Sequence, residues 1–422
     1  MCIIKIMIIK RKIIANIWKN IDNNKIFILN GARQTGKTTI LKIIKQKLIQ
    51  EKNVAKDCIF WYDLEKTEHL QIWSNQITVL SCLPIKSNKK YYIFIDEFQK
   101  SKNIGSILKV LHDHHPNFKI IITGSATWYL NIDESLTGRK EIFPIWPLSF
   151  DEFVEHYNND VTFYYKSIFK NIKTIIPAGI EKINNILLEF LTFGGYPEVI
   201  LAVKDNKIKI LSELLNSYLT CDIQIWNYNA NSIQVKNILT LLASQVGALL
   251  QTSNLSNNSG LGRTALINRL ELLENTFILY LIKPFFSNKI KELTKNPKIF
   301  LIDIGFRNML LKNFSVIPQT LELGKLAENF VAIEIAKNLK ESETLYFWRT
   351  PSGQEVDFVL KREGEIIPIE IKSGNEPTVP YGLKSFIHKY SPKIAYVLNW
   401  TIIKDKKINN TKILFRPLWW KI

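Results

Sequence analysis

An apolar run at 25–30 is followed by Gly31-Ala32-Arg33-Gln34-Thr35-Gly36-Lys37-Thr38, and then by Ile40, Leu41, Ile43, Ile44 and Leu48 at helical spacing. A buried strand, a loop of the form G-x-x-x-x-G-K-[ST] and a helix in that order restrict the fold more tightly than any other feature of the chain. The glycines let the loop curl so that successive backbone N–H groups face phosphate oxygens, and the helix adds its positive end. Lys37 is then placed to neutralise the β and γ phosphates and Thr38 to offer a hydroxyl to Mg²⁺. The expected ligands are ATP and Mg²⁺, with Gly31, Ala32, Arg33, Gln34, Thr35, Gly36, Lys37, Thr38 and Thr39 around the nucleotide.

Such a loop needs a second half. Tyr91-Tyr92-Ile93-Phe94-Ile95-Asp96-Glu97 is an apolar strand ending in two carboxylates, so Asp96 is expected to hold Mg²⁺ through water and Glu97 to polarise the attacking water. A further apolar run ends in Thr123-Gly124-Ser125, where Ser125 either senses the γ phosphate or caps a helix. Apolar runs at 58–63, 91–95 and 119–123 alternate with helical segments, the pattern of a parallel sheet covered by helices. The fold class expected is α/β: a P-loop NTPase sheet over residues 1–150, a mainly helical, winged-helix-like region over 151–317, and a small α/β unit over 318–422. In the middle region helical periodicity dominates residues 181–312, and a polar interruption at 251–262 followed by a helix at 263–274 resembles a helix-turn-helix.

A chain of 422 residues exceeds one ordinary core, and its 46% hydrophobic and 22% charged residues are globular values. The net charge of +18 invites a DNA reading, because cations displace counterions from phosphates. Residues 1–56, however, hold 13 basic and 2 acidic groups, so much of the excess surrounds the nucleotide loop, and only nine of the 56 basic residues are Arg. No apolar stretch reaches the roughly 18 residues of a membrane helix. Residues 1–12 lack a small-residue cleavage site and read as an ordered first strand or helix turn. Cys2, Cys58, Cys82 and Cys221 are scattered without CxxC spacing, which fits a reducing cytoplasm and neither a zinc ribbon nor a disulfide framework.

In combination, Gly31 to Thr38, Ile95-Asp96-Glu97-Phe98-Gln99, Thr123-Gly124-Ser125, Leu136-Thr137-Gly138-Arg139, Pro147-Leu148-Ser149-Phe150, Gly194-Gly195-Tyr196-Pro197 and Asn296-Pro297-Lys298 resemble the AAA-superfamily ATPases whose C-terminal half was classed as a domain of unknown function. The resemblance implies that the strand ending at Thr123 lies between the P-loop strand and the acidic-pair strand. It also makes Arg139 a candidate γ-phosphate sensor or arginine finger, with an ordinary surface ion pair as the alternative.

Near the C-terminus, Asp357 starts one strand and Glu370-Ile371-Lys372 ends its partner, with a turn at 362–365. Glu370 and Lys372, two apart on a strand, emerge on one face. The set resembles the D-x(n)-(D/E)-x-K signature of the restriction-endonuclease-like fold, with Glu328 on the preceding helix as a further acidic ligand. The resemblance implies a metal held by Glu328, Asp357 and Glu370 and a transition-state charge met by Lys372; a solvated cross-strand charge pair is the plainer reading. His112-Asp113-His114-His115 is expected at a helix end rather than on a metal, and Trp419-Trp420 in a core or docking patch. The expected partners are ATP, DNA, and a second copy or another protein, with no membrane. An ATPase acting at DNA, with a nuclease-fold C-terminal part, is the leading expectation; an interaction ATPase with a silent nuclease fold is the rival, and a kinase lacks a recognisable acceptor site.

Overall fold

The computed structural model describes residues 9–85, 89–125, 136–157, 159–172, 175–222, 232–286, 295–315, 320–372 and 376–422. The chain forms two compact units, one comprising residues 1–147 with two short returning segments, the other most of 148–422. The reading of residues 1–12 as ordered structure falls largely outside the described residues, as does Cys2; Cys58 and Cys82 are free thiols.

Five parallel strands carry the first unit: β1 (Ile26–Gly31), β2 (Ile59–Asp63), β3 (Tyr91–Asp96), β4 (Phe118–Ser125) and β5 (Lys140–Pro144). Their order is β2-β3-β4-β1-β5, so β4 does lie between the P-loop strand and the acidic-pair strand. β1, β3 and β4 are buried at every position, whereas β2 and β5 keep half-exposed residues, as edge strands do. Alternation decides the two faces. Phe27, Leu29, Phe94 and Ile121 meet Ile40, Leu41, Ile44 and Leu48 of the helix Lys37–Glu51. Ile26, Ile28, Ile93 and Ile95 meet Ile104, Ile107, Leu108 and Leu111 of the helix Ile104–His114. Truncating a side chain such as Leu41 costs about 2–5 kcal/mol, since it is fully buried between sheet and helix. The register sets Gly31 beside Ser125 and Asp63 beside Asp96, so these strand ends share the C-terminal edge of the sheet.

In the second unit the helices Ser232–Ser244, Thr252–Ser259 and Arg263–Asn275 are followed by the antiparallel pair β6 (Leu279–Pro284) and β7 (Lys298–Leu301), and Leu249 bridges back to Lys298. That is a winged-helix arrangement. Gly260, at φ +68°, closes the second helix in the left-handed conformation that lets the third begin. The expected dominance of helix over 181–312 therefore misses β6 and β7. Phe277 to Ile282 is an unbroken apolar run, which periodicity cannot assign, and its β-branched and aromatic residues favour the strand.

The remaining strands are β8 (Thr344–Arg349), β9 (Glu355–Arg362), β10 (Glu365–Ile371), β11 (Ile394–Asn399), β12 (Lys404–Ile408) and β13 (Thr411–Pro417). They join the wing in one eight-stranded sheet ordered β12-β13-β11-β10-β9-β8-β6-β7. The unit expected to begin at 318 thus shares its sheet with β6 and β7 of the preceding region. Glu363 and Gly364, both at positive φ, make the two-residue turn between β9 and β10. Trp419 is buried, and its indole Nε1–H donates to Asn184 at 2.9 Å, which makes the tail part of this core. Among the described residues no helix is long and apolar enough to cross a membrane.

Candidate functional site

The phosphate loop leaves β1 at Gly31, where an added Cβ would lie 2.1 Å from the Ile145 carbonyl oxygen. Only glycine permits that approach. Gln34 at φ +59° and Gly36 at φ +92° turn the loop before the helix Lys37–Glu51 begins. Lys37 is 5% exposed, and its Nζ donates to the carbonyls of Gly31 at 3.1 Å and Ala32 at 2.8 Å, which holds the ammonium against the loop. Thr35 closes the curl by donating to Ala32 O at 2.9 Å.

Asp96, at the end of β3, is buried and accepts from the hydroxyls of Thr123 and Thr38. Burial pushes its carboxyl up; the two hydroxyls oppose this, while the Glu97 and Asp63 carboxylates add to it. A hydroxyl and a carboxylate already in contact are a hard-oxygen pair of the kind Mg²⁺ takes, so these residues fit the ion. Glu97 sits at φ +52°, with its N–H donating to Thr123 Oγ1 at 3.3 Å. Its carboxylate accepts from Gln99 Nε2 at 2.6 Å, and the same nitrogen donates to Ser125 Oγ at 3.2 Å. Glu97, Gln99 and Ser125 therefore form one chain beside the phosphate loop. Gly124 leaves room for it, since a Cβ there would lie 2.7 Å from Gln99 Oε1.

The carboxylates of the second unit also converge. Glu328 of the helix Leu321–Ala336, Asp357 of β9 and Lys372 beyond β10 line a cleft of about 240 Å³ with Gly324, Ala327, Ile371 and Trp400. Glu370 accepts from the Lys372 ammonium at 3.0 Å and from the Asp357 N–H at 3.4 Å, while Asp357 Oδ2 accepts from the Ile371 N–H at 2.8 Å. A further cation, given no role by the motif Asn296-Pro297-Lys298 in which it stands, enters from β7: Lys298 Nζ lies 2.9 Å from Glu328 and 2.6 Å from Glu355. Burial raises Glu328 to about 7 against the pull of Lys298, and raises Glu370 to about 8 with repulsion from Asp357. The expected metal set does not fit. Among the described residues no group of three His, Cys, Asp or Glu side chains is arranged to hold an ion, and an oxygen of each of Glu328, Glu370 and Asp357 is turned to an ammonium group or a backbone N–H.

Residues 23–154 match the family model described as AAA domain. They form an AAA-type P-loop domain. Residues 184–316 and 323–415 match two domains of unknown function, DUF8612 and DUF4143. An uncharacterized protein of Haemophilus influenzae is 26% identical over 377 residues, covering 87% of each chain. One from Methanocaldococcus jannaschii is 29% identical over 351 residues, covering 81% of this chain and 73% of its own. Among solved structures, a Walker-type ATPase of Pyrococcus abyssi aligns with a TM-score of 0.45 at 14% identity, over 72% of this chain and 96% of that one.

Within the AAA domain one expected site residue lies apart. Arg139 precedes β5, and its carbonyl accepts from the Ile26 N–H at 2.8 Å, at the N-terminal end of β1. The phosphate loop leaves the other end, roughly 16 Å away at about 3.3 Å per residue. The guanidinium instead grips Asp113 through two bonds, at 2.7 and 2.9 Å, which holds that carboxyl well below its usual range; His112 adds to this. The surface ion pair is thus the reading the geometry favours, and His112 and His114 stand in the last turn of the helix Ile104–His114, the helix end expected for this segment. Two groups of the first unit carry contacts that the sequence expectation lacks. Gln99 stands there only as the last residue of the motif Ile95-Asp96-Glu97-Phe98-Gln99. Arg11 is 8% exposed and donates to Thr35 O and Trp146 O, both at 2.7 Å, tying the phosphate loop to the segment after β5. Nothing local in the sequence marks that long-range contact.

Proposed function

We propose that this chain binds ATP with Mg²⁺ and hydrolyses it, acting at DNA through the winged helix of its second unit. The observation that carries the reading is the meeting of Lys37, Thr38, Asp96, Glu97 and Ser125 at one sheet edge, with Gly31 and Ser125 in register. In this reading Lys37 and the loop N–H groups bind the β and γ phosphates, and Thr38 and Asp96 hold Mg²⁺. The ion supplies neutralisation of phosphate charge. Glu97 accepts the proton of the attacking water, and Ser125 orients the γ phosphate. Gln99, bonded to both Glu97 and Ser125, positions the base relative to the phosphate.

The assay is ATP hydrolysis by the full chain. Lys37→Ala is expected to lose turnover by about 100-fold or more, and Glu97→Gln to bind ATP and keep it intact. Wild-type turnover in either folded variant removes the corresponding assignment.

For DNA, the supporting feature is the helix Arg263–Asn275, which carries exposed Arg263 and half-buried Arg269 in the position of a recognition helix. Replacing both is expected to weaken binding across sequences and lower the salt slope by about 2; an unchanged slope favours a protein-packing role. The C-terminal strands support a restriction-endonuclease-like fold, with β9 and β10 antiparallel and β11 parallel to β10. The Lys298 contacts favour the version in which that fold is catalytically silent, its partner then being another protein or a second copy. The free thiols of Cys58 and Cys82 accord with a cytoplasmic setting.

A further inference from the structure

Lys298 is the first residue of β7 and is 3% exposed. Its neighbours leave it little freedom: it pairs with Ile282 across the wing and bridges to Leu249, so its backbone is fixed from both sides. From there the side chain runs to Glu328 at 2.9 Å and Glu355 at 2.6 Å, and the Asp357 carboxylate also acts on it. Glu328 is seated from the wing side too. Gly247, at φ +80°, leaves the space that Glu328 Oε2 fills, and a Cβ there would stand 2.6 Å from that oxygen. The Gly247 N–H in turn donates to Ile299 O of β7 at 2.8 Å.

Carboxylates gathered at a strand end repel one another unless a cation stands among them. A divalent ion does this with several oxygens whose lone pairs point at one centre. Here an ammonium carried by the chain meets Glu328 and Glu355, while Lys372 meets Glu370 and backbone N–H groups meet Asp357 and Glu370. A divalent ion placed between the same oxygens would have to displace Lys298, which is buried and held by both Glu328 and Glu355. We propose that Lys298 is the resident cation of this acidic group, that Glu328, Asp357 and Glu370 bind no divalent metal, and that the group serves as a charge staple joining the wing strand β7 to the C-terminal sheet. The proposal is independent of the ATPase reading, which concerns the other unit.

The test is Mn²⁺ titration of the full chain without nucleotide, in the Lys37→Ala background to weaken the phosphate-loop site, followed by calorimetry and by melting temperature. With Lys298 intact, no Mn²⁺ binding sensitive to Asp357→Asn is expected, and no Mn²⁺-dependent rise in melting temperature. Lys298→Met leaves the carboxylates without their cation, and the folded variant is expected to gain a Mn²⁺-dependent rise of a few degrees that Asp357→Asn removes. Lys298→Arg keeps the charge and is expected to gain none. Mn²⁺ binding in the Lys298 protein that Asp357→Asn abolishes overturns the proposal, as does metal-dependent DNA cleavage with the same sensitivity. So does a folded Lys298→Met that gains no metal response. If Lys298→Met does not fold, the titration of the Lys298 protein decides alone.

Discussion

The two units each bring lysines and carboxylates together at the end of a sheet, and they treat those charges in opposite ways. In the AAA domain, Lys37 donates to the carbonyls of Gly31 and Ala32, and Asp96 accepts from the hydroxyls of Thr123 and Thr38. Both groups there meet carbonyl or hydroxyl dipoles, contacts that a phosphate or a metal ion can replace. In the second unit Lys298 meets Glu328 and Glu355 directly, and Lys372 meets Glu370. Ammonium meets carboxyl there, and any cationic ligand must compete with a tethered lysine. Residue types alone do not separate a binding site from a structural cluster; the partner of each charge does.

The contrast can be broken with matched lysine removals. Lys298→Ala leaves Glu328 and Glu355 without their shared cation in a buried setting, and is expected to destabilise the protein by about 3–5 kcal/mol in a denaturant titration. Lys37→Ala is expected to abolish turnover while changing stability far less, since the carbonyls it contacts can turn to water. Comparable losses of stability from both would erase the distinction.

A pH series sharpens it. Glu328 and Glu370 have folded-state pKa values raised to about 7 and about 8, above an ordinary carboxylate near 4.5, with Lys298, Glu355, Asp357 and Lys372 as the charges facing them. A carboxyl raised on folding binds its proton more tightly when folded, so stability is greatest at low pH and falls as pH rises. The second unit is therefore expected to lose stability between about pH 5 and 8, and Glu370→Gln to flatten that slope; a slope identical to wild type would show that Glu370 is not among its sources. Smallest of all is the expected effect of Arg139→Ala. With its guanidinium on Asp113, turnover of ATP and affinity for ADP should both stay within about twofold of wild type. A selective loss of turnover would return Arg139 to the phosphate, supplied then by a second copy.

Much of this was legible along the chain. Loop, helix and acidic strand end were readable because each is local: Gly36, Lys37 and Thr38 are adjacent, and Asp96 closes an unbroken apolar run. The convergence of Asp357, Glu370 and Lys372 was readable because a two-residue turn fixes the register of β9 on β10. What failed was non-local. Lys298 reaches its carboxylates from a strand that reads like helix, and Arg11 reaches the phosphate loop from 24 residues away. The place of Arg139 was not legible because the end of the sheet on which it stands depends on where β5 begins.

The pairing of β6 with β8 has a consequence for how this protein can be cut and inherited. Residues 184–316 and 323–415 match separate families, yet the hydrogen-bonding edge of β8 is filled by a strand of the former. A fragment beginning near 318 would expose that edge, inviting intermolecular strand addition and aggregation. Recombination that separated the two segments would meet the same penalty, so they should travel through genomes as one cassette.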